Sequence, residues 1–216
     1  MIIKVCGLKE PENIQEVLDA APDMVGFIFY NKSPRMVEEE KLSGWIESNE
    51  ALFGTIKRVG VFVDAKIDYV LNTVHDFQLD YIQLHGSESP EYCEEIQDYW
   101  NFSSIRKAAF IKAFPVDEAF DFSVTDGYEN ICSYYLFDTK TPRHGGSGRK
   151  FDWSVLENYQ GQTPFLLSGG IGPEDAGPIR KLKLPQMAGV DINSRFETVP
   201  GMKNTKEVAA FISALR

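Results

Sequence analysis

The sequence has no excess of positive charge. Its 22 Lys and Arg stand against 32 Asp and Glu, a formal net charge of −10. Binding a nucleic-acid backbone needs a basic footprint that is missing here, so nucleic acid is excluded as the expected partner. An acidic chain still binds a small anion when it gathers cations and backbone N–H groups locally. There is no apolar run of the ~20 residues that crosses a bilayer, so no membrane partner is expected. The first ten residues lack the charged, apolar and cleavage regions of a signal peptide in series. With three scattered cysteines, Cys6, Cys93 and Cys132, there is neither a disulfide framework nor a zinc site. A reducing cytoplasm is the expected compartment. Only three histidines, His75, His85 and His144, are present, and their spacing offers no metal-ligand cluster. No metal and no cofactor are expected.

What is present is a regular series of short apolar runs. They cover Ile2–Cys6, Met24–Tyr30, Val59–Val63, Tyr81–Leu84, Phe110–Phe114, Tyr134–Phe137, Phe165–Leu167 and Gly189–Ile192. Most are continuous rather than alternating, as in parallel strands buried on both faces. Their starts lie about 27 residues apart on average, the length of one strand–helix unit. Between them, Ile14, Val17, Leu18 and Ala21 form one apolar stripe at helical spacing; so do Ile67, Val70, Leu71 and Val74, and Val208, Phe211, Ile212 and Leu215. Pro11 and Pro90 suit first helical turns. Weaker helices are expected near Asp117–Val124 and Glu174–Leu182. His75 and the charges from Glu38 to Lys41 suit solvated helix faces. Eight such units in 216 residues predict one domain, residues 1–216, folded as a (β/α)₈ TIM barrel. A doubly wound open sheet would carry its glycine-rich turn after the first strand. Here the glycines follow strands six and seven, where a phosphate-binding barrel has them.

In a barrel the chemistry lies at the C-terminal ends of the strands. Cys6 ends the first strand and is either a small buried hydrophobe or a reactive thiol. Asp138 ends the sixth and is either a turn cap or a functional carboxylate, since burying it is costly. Together they are a plausible base and acid for moving a proton between carbon and oxygen. Arg35, behind Pro34, either is solvated or clamps a carboxylate bidentately. His85, after the fourth strand, is either a substrate contact or a rim histidine with its bonds satisfied. Thr141–Lys150 is glycine-rich and basic, either a plain surface loop or a lid over an anion. Gly169 and Gly170 expose backbone N–H groups as a phosphate nest requires. Asn193 and Ser194 suit the cap of a short helix that would face phosphate.

The ordered motifs resemble the phosphoribosylanthranilate isomerases of tryptophan biosynthesis along the whole chain. They are Lys4-Val-Cys-Gly7, Gly26-Phe-Ile-Phe29 with Ser33-Pro-Arg35, Val59-Gly-Val-Phe62 and Gln83-Leu-His-Gly86. Lys112-Ala-Phe114, Phe137-Asp-Thr139, Gly145-Gly-Ser-Gly148 with Phe151-Asp-Trp153, Ser168-Gly-Gly-Ile171 and Asp191-Ile-Asn-Ser194 complete the set. The resemblance implies a cofactor-independent Amadori rearrangement of N-(5-phosphoribosyl)anthranilate to 1-(2-carboxyphenylamino)-1-deoxyribulose 5-phosphate. It implies Asp138 as general acid, Cys6 as general base and Arg35 facing the anthranilate carboxylate. It also implies Gly146, Ser147, Gly148, Gly169, Gly170, Asn193 and Ser194 as the phosphate loops.

One departure stands out. The family commonly reads Ser-Gly-Val-Glu after strand eight, whereas this chain has Ser194-Arg195-Phe196-Glu197. Arg195 either adds charge at the phosphate or points away. Three rival readings remain. The histidine-pathway isomerase of the same fold resembles a two-fold repeat and has aspartate where this chain has Cys6. Ribulose-phosphate epimerases use metal-binding histidines. An inactive phosphosugar-binding barrel would need the loops but neither Cys6 nor Asp138. The sequence leaves monomer and homodimer both open.

Overall fold

The computed structural model describes residues 1–102, 106–140 and 150–216. Eight parallel strands close on themselves in chain order, β8 returning to β1. They are β1 (Ile2–Val5), β2 (Met24–Ile28), β3 (Lys57–Phe62), β4 (Tyr81–Leu84), β5 (Ala109–Val116), β6 (Cys132–Thr139), β7 (Phe165–Leu167) and β8 (Met187–Ile192). The expected strands are all present, with ends moved by a few residues; Cys6 lies one residue beyond β1, and Asp138 lies within β6.

The helices lie on the outside. They are α1 (Pro11–Asp19), α2 (Glu39–Ser48), α3 (Ile67–Asp76), α4 (Pro90–Phe102), α5 (Ala176–Lys181) and α6 (Thr205–Leu215). Pro11 and Pro90 open their helices as expected. Val208, Phe211, Ile212 and Leu215 are all buried on α6. Ala21 breaks the stripe of α1: it is exposed and has φ 52°, so the chain has already left the helix. Of the two weaker expectations, the first is corrected and the second is present with moved ends. Asp117–Val124 is replaced by a 3₁₀ stretch, Phe122–Tyr128, started by the Asp121 carboxylate accepting from the Ser123 N–H. The helix expected near Glu174–Leu182 forms as α5, entered through one 3₁₀ turn, Pro173–Asp175. After β8 a short ribbon, β9 (Glu197–Val199) and β10 (Met202–Lys203), turns back towards α1.

Strand parity decides what reaches the site. Successive side chains point to opposite faces, so residues two apart share one. Met24, Val59, Ile111, Ala113, Leu136 and Leu166 fill the barrel interior as one apolar cluster. Their neighbours Val25, Phe110, Tyr135, Phe137 and Phe165 belong instead to the larger core between strands and helices. There the rings pack edge to face, with Phe114 and Tyr135 centroids 5.2 Å apart. Stepping by two from the inner set places Asp138 above Leu136, and Ser168 above Leu166. By the same step Lys4 and Cys6 share a face of β1, Gln83 and His85 one of β4, and Asp191 and Asn193 one of β8. The apolar plug closes the bottom of the barrel and the polar residues crown its top.

Candidate active site

A cavity opens at the C-terminal ends of the strands, the end of a barrel at which active sites lie. Cys6, Arg35, His85 and Asp138 all line it, as do Gly169, Gly170, Asn193 and Ser194. Residues drawn from six strands and their following loops are thus brought together. Gly146, Ser147 and Gly148, with most of the expected lid, lie outside the described residues.

Cys6 is held by backbone: its N–H donates to the Ile192 carbonyl at 2.9 Å. Its side chain packs so closely on Gly26 that a Cβ there would stand 2.8 Å from Sγ. Burial pushes the thiol up, while the Lys4 ammonium pulls it down and Asp191 pushes it up again. Lys4 is fully buried and donates to Asp191 Oδ1 at 2.7 Å. Burial alone would lower the Lys4 ammonium, but Asp191 and Cys6 outweigh it and the net direction is upward. Asp191 Oδ2 accepts from the Ser168 hydroxyl at 3.3 Å.

Asp138 is not a bare carboxylate. Oδ1 accepts the Thr139 N–H at 2.8 Å. Oδ2 lies 3.5 Å from His85 Nε2, long for a good hydrogen bond. His85 therefore meets the acid candidate inside the cavity and is not merely a rim residue.

Arg35 is nine-tenths buried, not solvated. Nε and Nη2 grip Glu197, with Nη2 to Oε2 at 2.7 Å. Glu197 also accepts from Lys203 Nζ at 2.7 Å and the Gly201 N–H at 3.0 Å. Burial would raise its carboxyl, but the hydrogen bond from Arg35 and the charge of Lys203 hold it below the usual carboxylate range. Asn193 does not cap the 3₁₀ turn Ser194–Phe196 with its side chain. Its Oδ1 accepts from Lys203 Nζ at 2.7 Å instead, because that turn has β10 beside it. Gly7 has φ 75°, and a Cβ on it would lie 2.6 Å from Asn193 Oδ1. No other residue type lets the loops after β1 and β8 meet so closely.

The glycine pair after β7 has the same origin. Gly169 has φ 89°, and a Cβ there would stand 2.6 Å from the Thr139 nitrogen. Gly170 follows at φ 66°. Arg195 points away from the cavity and donates to Glu174 at 2.7 Å. Lys150, at the end of the expected lid, pairs with Asp175 at 2.6 Å.

Sequence reasoning passed over Lys4, Asp191, Glu197 and Lys203. The signal was available for the first two: a charge within a buried parallel strand needs a partner. Among the described residues no group of three or more His, Cys, Asp or Glu is placed to hold a metal ion. No helix among them is long and apolar enough to cross a membrane.

Comparison with known proteins agrees with this geometry. The family model described as N-(5'phosphoribosyl)anthranilate (PRA) isomerase matches residues 3–214. The N-(5'-phosphoribosyl)anthranilate isomerase of Parabacteroides distasonis is 46% identical over 215 residues, covering 100% of this chain and 93% of the relative. The crystal structure of phosphoribosyl anthranilate isomerase from Thermotoga maritima superposes with a TM-score of 0.84 at 31% identity, covering 100% and 98%. Another isomerase structure, in complex with reduced 1-(o-carboxyphenylamino)-1-deoxyribulose 5-phosphate, superposes at 0.78 with 27% identity and coverage of 100% and 98%. By its full-length match in sequence and fold, this chain belongs to the N-(5'-phosphoribosyl)anthranilate isomerase family.

Proposed function

We propose that this chain isomerises N-(5'-phosphoribosyl)anthranilate to 1-(2-carboxyphenylamino)-1-deoxyribulose 5-phosphate, with Asp138 as general acid and Cys6 as general base. The observation that carries this reading is that one cavity is lined by both residues, from opposite sides of the strand order, in a chain of this family. Asp138 gives its proton to the furanose ring oxygen as the C1'–O bond breaks. The anilino nitrogen supplies the electron pair, and the open chain becomes a C1'=N iminium. Cys6, as thiolate, then removes the proton on C2', and those electrons neutralise the iminium nitrogen to give an enolamine. Transfer of the enol proton from the C2' oxygen to C1' completes the aminoketone. Reactant and product are isomers, so no electron acceptor is required.

The remaining residues bind. Arg35 is held by Glu197 through Nε and Nη2, which leaves the Nη1 edge for the anthranilate carboxylate. A guanidinium fixed this way loses little freedom when the substrate arrives. Gly169, Gly170, Asn193 and Ser194, which line the cavity, are assigned to the phosphate, with Gly146, Ser147 and Gly148 assigned to the same role by family resemblance. Lys4 is the one cation whose charge draws Cys6 towards thiolate most strongly. An inactive sugar-phosphate binder would have no use for that arrangement.

Freshly prepared phosphoribosylanthranilate tests the proposal by the decay of its anthranilate-type fluorescence. Asp138→Asn keeps shape and polarity but has no proton to give. The expected result is fast decay with the parent and a stalled reaction with the variant, which still binds product analogue. Parent-like turnover by Asp138→Asn would remove it as the acid.

A further inference from the structure

Gln83 is a polar side chain 1% exposed on the inner face of β4. Its Oε1 is buried with no hydrogen-bond partner, whereas its Nε2 lies 3.0 Å from His85 Nδ1. Burying an amide with an unpaired oxygen costs stability, and an apolar side chain of similar size would avoid the cost. The contact to His85 is therefore what the amide contributes. With the amide in this orientation its nitrogen donates, so Nδ1 accepts. A neutral imidazole that accepts at Nδ1 carries its proton on Nε2. That is the nitrogen 3.5 Å from Asp138 Oδ2.

His85 cannot readily adjust by moving its backbone. Its N–H donates to the Phe62 carbonyl at 2.8 Å. The next residue, Gly86, is clamped from both sides: its N–H donates to Glu88 at 3.0 Å and its carbonyl accepts from Lys112 Nζ at 2.7 Å. Lys112 and Glu88 are themselves a buried pair at 3.1 Å. With the main chain fixed and Nε2 turned to the acid, the ring's partner at Nδ1 decides whether Nε2 carries the proton.

The geometry points to Gln83 as a positioning residue that locks His85 as the Nε2–H tautomer, so that His85 donates a hydrogen bond to the Asp138 carboxylate formed when its proton leaves. The inference rests on Asp138 being the general acid. The 3.5 Å separation is long for a hydrogen bond, and the attraction that shortens it grows as charge develops on Oδ2. A donor at Oδ2 matters little while Asp138 is protonated and most once it is charged. Its effect therefore falls on kcat rather than on KM.

The test compares the parent with Gln83→Glu and Gln83→Met. The ¹⁵N shifts of the His85 ring report the tautomer without any turnover. The parent should show an unprotonated Nδ1 and a protonated Nε2. Gln83→Glu, which can only accept, should place a proton on Nδ1. Gln83→Met keeps the volume, removes the donor and the stranded oxygen, and should melt no lower than the parent. Losing an oriented donor to a charged group predicts a kcat drop of about 10- to 100-fold in both variants, with KM within about threefold. A merely structural Gln83 would lower melting temperature and kcat together. The inference fails if the parent His85 is protonated at Nδ1, or if Gln83→Met turns over within about threefold of the parent. Should Asp138→Asn be inactive while Gln83→Met is normal, the function stands and this role of Gln83 falls. Should the parent itself not turn over, the ring shifts still decide the tautomer.

Discussion

Replacing Lys4 by methionine removes one charge from a pair that water does not reach. The ammonium is 0% exposed and its partner Asp191 only 6%, at 2.7 Å. Methionine fills much the same space, so the loss is electrostatic. It leaves Asp191 buried with, among the described residues, only the Ser168 hydroxyl to answer it. Breaking one partner of such a pair typically costs about 3–5 kcal/mol, because the survivor's charge is uncompensated. At roughly 2–4 °C per kcal/mol for a chain of this size, the melting temperature should fall by about 6–20 °C. Calorimetry at pH 7 measures this directly. Adding Asp191→Asn should recover part of the loss, since a neutral amide needs no counter-ion. Lys4 also draws the Cys6 thiol down against its burial, so alkylation of Cys6 by iodoacetamide at a fixed pH should slow in Lys4→Met. A shift under about 2 °C, as expected of an exposed pair such as Lys140 with Asp117, would refute the reasoning. So would simple additivity in the double variant.

Cys6→Ser should keep the fold yet lose kcat by about 10²–10⁴-fold, the usual contribution of a general base; activity within threefold would remove Cys6 from the mechanism. Because burial raises the Cys6 pKa above its ordinary value of 9.0, the thiol predominates at neutral pH. The thiolate fraction then grows tenfold per pH unit below that pKa, so kcat should climb between about pH 6 and 9; a flat profile would contradict a thiolate base formed this way. Arg35→Met should weaken a charge-assisted contact that contributes ~1.5–3 kcal/mol, lowering kcat/KM by roughly 10- to 150-fold on the carboxylated substrate. The decarboxylated phosphoribosylaniline should barely distinguish parent from variant, and equal losses on both would make Arg35 purely structural. Glu197 has its pKa depressed in the folded chain. It contributes stability that is fully present above its unfolded pKa of 4.5 and is lost as pH falls through the folded value. Glu197→Gln should lose that acid-side slope in a melting-temperature profile from pH 6 to 3; an unchanged slope would show that other carboxylates carry it.

The eight strands were legible because continuous apolar runs at unit spacing have few other uses in a chain that folds around one core. Cys6, Asp138 and the Gly169–Gly170 pair were legible because each is an unusual residue at a strand end. Local chemistry misled where tertiary contacts dominate. Phe122–Tyr128 lacks a helical stripe; its aromatic residues serve the cluster around Phe137, with Phe122 and Phe137 centroids 5.5 Å apart. Asn193 looked like a cap but faces Lys203, ten positions later and on another element. Arg35 was open between a solvated side chain and a carboxylate clamp. Its partner Glu197 is 162 residues away, and no local pattern announces such a pair. His85 was open between two roles until the fold placed it between Gln83 and Asp138.

The most direct test is a single-turnover reaction of the parent and of Cys6→Ser with phosphoribosylanthranilate deuterated at C2'. With ring opening by Asp138 and proton removal by Cys6, the parent should yield 1-(2-carboxyphenylamino)-1-deoxyribulose 5-phosphate with the C2' label lost. Cys6→Ser should bind the substrate but retain the label in what it binds. Formation of that product by Cys6→Ser at the parent's rate, or its absence with the parent, would contradict the account.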